Sequence, residues 1–160
     1  MKVFRLNKKA ERPKFSNRAD PIFNMKACLE PNTKVSILNS LNKETFALTK
    51  VVNGKTVIQV YPQQRLLIPT GLAFEVEAES VLKIYTHEEA SFKKGLILVN
   101  GISLIKHGNS EECHVMIYNI SDAVTVIEHG ENIAQATLEK IIPFDITEIP
   151  TEAVTQTSET

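Results

Sequence analysis

Residues 97–121 read ILVNGISLIKHGNSEECHVMIYNIS: two apolar runs separated by a polar, glycine-bearing stretch. In the second run, Val115, Ile117 and Asn119 alternate with His114, Met116 and Tyr118. A period of two sends successive side chains to opposite faces, as in a β-strand with one face buried. The same beat extends in both directions along the chain. Val57, Gln59 and Tyr61 oppose Ile58 and Val60; Phe74 and Val76 oppose Glu75 and Glu77; Val81, Lys83 and Tyr85 oppose Leu82 and Ile84. Short alternating runs broken by Asn53-Gly54, Pro69, Asn100-Gly101 and Gly130 predict antiparallel strands closing a sandwich or barrel. Asn53-Gly54 lies between LTKVV and KTVIQV, which predicts a tight hairpin. The fold class is therefore all-β.

One helix interrupts the pattern. Thr86 stands three residues before Glu89, the spacing of a capping box, and Gly95 supplies the stop. A helix of about two turns is too short to be stable alone, so Phe92 is expected to anchor it on the sheet. The ends differ from the centre. Residues 1–20 are basic and polar and read as an N-terminal arm; residues 21–143 form the β domain; residues 144–160 drift into Thr, Glu, Pro and Ser and read as a C-terminal polar arm.

The chain has 160 residues, with 18 basic against 19 acidic side chains. That balance offers no single-sign field for nucleic acid or an acidic membrane. No apolar run reaches membrane-spanning length, and no apolar stretch follows the basic start, so a soluble, non-secreted protein is expected. Cys28 and Cys113 lie far apart, outside any metal-type spacing, and read as free thiols. His87, Glu88 and Glu89 are consecutive at a helix start and share no face, so no metal site is expected there. No cofactor is expected.

Five segments in order carry a further signal: ADPIFNMKA (19–27), VLKIYTHEEASFKKGL (81–96), ILVNGISLIKHGNSEE (97–112), CHVMIYNIS (113–121) and EHGENIAQATLEK (128–140), preceded by IPTGLAFEV at 68–76. They resemble the trimeric deoxyuridine triphosphatase (dUTPase) and dCTP deaminase-like superfamily, which implies a jelly-roll or β-clip barrel with one short helix. It also implies a homotrimer with active sites between subunits. Carried residue by residue, the resemblance puts Asn24 at the family's first-motif aspartate. His87 and Glu88 fall at its phosphate-binding arginine and serine, Lys106 at an aspartate, Gly108 at the water-activating carboxylate, and Asn109 at the ring-packing tyrosine. Asn100, Gly101 and Gln135 remain as ligand-binding remnants. No glycine follows Gly130, so the family's glycine-rich closing arm has no counterpart.

A glycine cannot abstract a proton, and a glutamate beside a triphosphate opposes it in charge. The expectation from these positions is a non-catalytic pseudoenzyme with no catalytic residue. Its expected role is structural: a homotrimeric bacteriophage virion component, such as a capsid decoration protein seated on a capsid lattice. It would then be located in the virion if viral, and otherwise in the cytoplasm. Two alternatives stand beside it. One is a nucleotide-binding regulator without hydrolysis. The other is a dUTP diphosphatase or related nucleotide hydrolase with a relocated site, its base supplied by Glu111 or Glu112. Glu88 and Lys106 have opposite signs and are expected to pair across the former site.

Overall fold

A computed structural model describes residues 1–15, 17 and 19–150. Its strands, in chain order, are β1 (Lys2–Arg5), β2 (Ile22–Lys26), β3 (Lys34–Leu38), β4 (Glu44–Leu48), β5 (Lys50–Val52), β6 (Lys55–Val60), β7 (Arg65–Glu75) and β8 (Ser80–Thr86). Helix α1 (Glu88–Lys94) follows, then β9 (Leu96–Leu98), β10 (Ser103–Lys106), β11 (Glu112–Asn119), β12 (Thr125–Glu128) and β13 (Asn132–Lys140). Three antiparallel sheets enclose one core in a jelly-roll arrangement. The largest runs β4-β3-β7-β11-β9, with β1 added on β7; the others run β10-β8-β13-β2 and β12-β6-β5.

Alternation sets these strands. Along β2 and β3 every second residue is buried, so Phe23, Met25, Val35 and Ile37 enter the core. The hairpin at Asn53-Gly54 forms as the sequence predicts, with φ of 50° and 78° at its two central residues. Both values are positive, the condition for a turn whose twist matches the flanking strands. Strand β7 is buried almost throughout because it is the middle of its sheet, pairing β3, β11 and β1.

Gly71 sits where β7 passes from β11 to β1, opposite a register shift between Glu112 and His114. Its φ is 67°, and a Cβ there would lie 2.7 Å from the Ala10 Cβ and 3.0 Å from the Cys28 Sγ. Only glycine fits both the backbone and the space.

Three expectations are corrected at the ends and at the helix. Residues 2–5, read as part of an arm, form β1, pairing Lys2 with Glu75 through Arg5 with Leu72, and Ala10 is buried in the core. Thr86 does not cap the helix: His87 is the N-cap residue, without a side-chain cap bond. The Thr86 hydroxyl instead accepts the Leu98 N–H at 3.1 Å, a tertiary bond across to β9. Phe92 anchors nothing and is 90% exposed. The helix buries only Ala90, and two residues further on lies about 200° around the axis, on the solvent side. Gly95 does end the helix in the left-handed conformation, donating its N–H to the Ser91 carbonyl at 3.0 Å. Of the expected C-terminal arm, residues 144–150 belong to no helix or strand and are exposed, while 151–160 lie outside the described residues.

Candidate functional site

Strands β2, β13 and β8 bring the first group of candidate residues together. Gln135 pairs in register with Asn24 on one side and Tyr85 on the other. Asn24 is exposed, while Gln135 and Tyr85 are half-buried. Further along, Tyr85 donates its hydroxyl to Glu139 at 3.3 Å, and Lys83 pairs with the same carboxylate at 2.7 Å. The Lys83 bond holds the Glu139 carboxyl below its ordinary range, with a smaller contribution from the Tyr85 hydroxyl. The result is a polar ribbon across the open face of this sheet.

At the start of β13 the ribbon meets a cleft of about 330 Å³, lined by Lys26, His87, Lys93, Lys94, Glu131 and Asn132 among others. The Nδ1 of His87 and the Oδ1 of Asn132 are buried there and have no hydrogen-bond partner. Buried polar atoms are satisfied in the great majority of cases, so two orphans on one small cleft mark a place where a polar ligand or water completes the structure. The cations around it are already paired. Lys26 meets Glu11 at 2.7 Å and Lys93 meets Glu89 at 2.7 Å. Lys94 bonds Glu131 and donates to the Val126 carbonyl at 2.8 Å. An entering anion would exchange for these carboxylates, which are exposed except for the partly buried Glu131.

The second group lies elsewhere. Asn100 and Gly101 form the exposed turn between β9 and β10, with Gly101 at φ 70°. Lys106, Gly108 and Asn109 form the tip between β10 and β11, and all three are exposed. Gly108 has φ 86° with open space where a Cβ would stand. Asn109 builds the tip, its Oδ1 accepting the Glu111 N–H at 2.9 Å. Within one subunit neither Glu88, which begins α1, nor Lys106, which ends β10, makes an ion pair among the described residues; the expected pairing lies across a cleft between subunits and involves a second copy.

The two proposed replacement bases also separate. Glu112 Oε1 accepts the Gly71 N–H at 2.8 Å, which ties its carboxylate to the crowded centre of β7. Glu111 is exposed at the tip beside Gly108, without an ion pair among the described residues. His107 is turned away, its Nδ1 lying 2.8 Å from the Val76 carbonyl.

Sequence reasoning missed Tyr85, Lys26 and Asn132. All three stood within segments already singled out, but none was marked as a site residue, and strand register is what joins Asn132 to Lys26. Cys28 and Cys113 are buried free thiols, and burial pushes Cys113 up to about 12. Among the described residues no group of three or more His, Cys, Asp or Glu side chains is placed to hold a metal ion.

No protein-family model matches the chain. By sequence it is similar to the deoxyuridine 5'-triphosphate nucleotidohydrolase of Hydrogenobaculum sp. (strain Y04AAS1), 30% identical over 92 residues, or 58% of this chain and 64% of that protein. It is also similar to that of Cytophaga hutchinsonii, 27% identical over 128 residues, or 73% and 83% of the two chains. The matched stretch thus spans slightly less than two thirds of the first relative. Among solved structures, the dUTPase from Streptococcus mutans superposes with a TM-score of 0.64 at 17% identity, covering 89% of this chain and 98% of that one. The dUTPase of Staphylococcus bacteriophage 80alpha gives 0.67 at 16% identity, covering 92% and 94%. These findings overturn the expectation of a non-catalytic capsid decoration protein, because the matching relatives are named as nucleotide hydrolases.

Proposed function

Because the chain is a dUTPase-like superfamily member in both fold and sequence, we propose that it hydrolyses a deoxynucleoside triphosphate, with dUTP as the first substrate to test. The observation that carries this reading is the pair of unpartnered buried atoms, His87 Nδ1 and Asn132 Oδ1, in a cleft lined by three lysines. A polyphosphate supplies acceptors for the three lysines and for an N–H of His87, while the Asn132 Oδ1, itself an acceptor, takes a bond from a water or from a ligand N–H or O–H. The neighbouring Gln135–Asn24–Tyr85 row offers amide and hydroxyl groups along the path of the rest of the nucleotide.

Hydrolysis needs a water activated near the phosphorus under attack. Water oxygen bonds to phosphorus, the bridging P–O bond breaks with its electrons, and pyrophosphate leaves while a base takes the water's proton. Position 108 supplies no such base. Of the two available carboxylates, Glu112 is committed to the Gly71 N–H, whereas Glu111 is free to accept a proton. We assign the role to Glu111, with the site completed between subunits of a homotrimer. The exposed apolar side chains of the large sheet, Leu38, Leu67 and Met116, support such self-association.

The test is pyrophosphate release from dUTP, dCTP and dTTP with magnesium, alongside Glu111→Gln and His87→Ala. Release from dUTP is expected, with kcat lowered about a hundredfold or more by Glu111→Gln and KM raised by His87→Ala. A wild-type rate equal to that of buffer removes the proposal. Full activity in Glu111→Gln reassigns the base.

A further inference from the structure

The segment that follows β1, residues 6–15, passes the rim of the cleft that holds His87 and Asn132, and it is fixed on both sides of the passage. Upstream, Ala10 is buried against Gly71, its Cβ 2.7 Å from where a Cβ on that glycine would stand. Asn7 and Lys9 donate to the Glu30 carboxylate at 3.0 and 2.6 Å. Downstream, Phe15 forms a β-bridge with Phe23 and sets its ring edge-on to that ring, with centroids 5.6 Å apart. Glu11 stands between these anchors.

Its carboxylate reaches two lining residues at once. Oε2 accepts from the Lys26 ammonium at 2.7 Å, and Oε1 lies 3.6 Å from where a Cβ on Gly130 would stand. Lys26 and Gly130 both line the cleft. The charged or titratable groups around Glu11 are Lys26, Lys14 and His129, and the Lys26 bond above all holds its carboxyl below the ordinary range. The other two cleft lysines are paired differently. Lys93 meets Glu89 one turn back on α1, and Lys94 meets Glu131 before β13; both carboxylates belong to residues that line the cleft. Glu11 comes instead from a segment that, among the described residues, supplies no part of the lining, 15 residues before its lysine. It is therefore the one of these three carboxylates that can withdraw without reshaping the cleft.

We propose that Glu11 is an autoinhibitory counterion, holding Lys26 until a polyphosphate displaces it from the cleft. The inference rests on the reading of this cleft as the polyphosphate site and names how that site is regulated. One carboxylate and one phosphate group compete for Lys26 on similar terms, since both offer charged acceptors. A chain of phosphates also engages Lys93 and Lys94, and the added contacts decide the exchange. Both members of the Lys26–Glu11 pair are partly exposed, so breaking it costs little. The anchors at Ala10 and Phe15 hold the segment in place, so Glu11 returns when the anion leaves.

The experiment measures binding of inorganic tripolyphosphate to the full-length chain by calorimetry. The proteins are wild type, Glu11→Gln, Lys26→Gln, the double variant of these two, Lys94→Gln and Glu75→Gln. Glu75 pairs with Lys2 at 2.9 Å on another sheet, so Glu75→Gln changes the net charge equally and frees a lysine elsewhere. Glu11→Gln is expected to tighten binding about threefold or more, and Glu75→Gln to leave it nearly unchanged. In the Lys26→Gln background, Glu11→Gln should bring no comparable gain, because the lysine it unmasks is gone. Equal affinity of wild type and Glu11→Gln overturns the proposal. So does an equal gain from Glu75→Gln, or a gain that persists without Lys26. In each of those cases, binding that Lys94→Gln weakens leaves the polyphosphate reading of the cleft standing. No binding by any of the proteins removes that reading and the inference with it.

Discussion

Gly71 and Gly108 adopt the same left-handed backbone, at φ 67° and 86°, yet they belong to opposite kinds of region. Gly71 is packed beneath Ala10 and Cys28 at the centre of β7, with its N–H bonded to Glu112. Gly108 stands at the tip between β10 and β11 with nothing within 4 Å of where a Cβ would be. Both need glycine's conformational freedom, but only the first also needs its size. The contrast separates the framework, where position and volume are fixed together, from the rim, where side chains vary without cost to the core.

The contrast breaks most readily at its packed end. Gly71→Ala should cost about 3 kcal/mol, from left-handed strain and overpacking together, read as a lower urea midpoint with unchanged slope. A loss below about 1 kcal/mol would show that the residues at 7–10 simply move aside. Next comes Asn119, fully buried, which donates to the Val60 and Ala123 carbonyls at 3.0 and 2.8 Å and accepts from Ser121. Asn119→Ala strands these groups and should cost about 2 kcal/mol. Gly108→Ala should cost about 1 kcal/mol, the backbone penalty alone, with near-UV circular dichroism unchanged. Phe92→Ser should change stability by less than about 0.5 kcal/mol, since the ring touches solvent. A larger loss in a concentration-dependent melt would place Phe92 in an interface.

The smallest effect is electrostatic. Glu139 lies below its ordinary range chiefly through its bond to Lys83, so its contribution is present above the usual carboxylate range and lost as pH falls through the depressed value. Glu139→Gln should therefore narrow the difference in melting temperature between pH 7 and pH 3, and leave the pH 3 value nearly unchanged.

Much of the architecture was legible. Alternation marked β6, β8 and β11; Asn53-Gly54 marked its hairpin; Gly95 marked the helix stop. Each is a local decision by the backbone, and local patterns report it. The site was legible only in pieces. Gln135 and Asn24 share a row because β13 pairs β2, while Gly108 and Asn109 belong to a separate tip. Substituted positions are incomplete evidence by themselves, because a residue's identity does not reveal what else the fold brings near, such as Lys26 beside His87 and Asn132.

By itself the sequence determined the all-β class, the punctuation of its strands and the superfamily likeness, because period-two burial and turn chemistry are written in near neighbours. Only the tertiary structure decided three further points. Residues 2–5 join β7 instead of trailing free. The Thr86 hydroxyl serves β9 and not the helix. Asn119 becomes the clamp between β11 and β6. The physical reason is common to all three: a hydrogen-bonding group is satisfied by whichever partner the completed core places nearest, and that partner can lie tens of residues away.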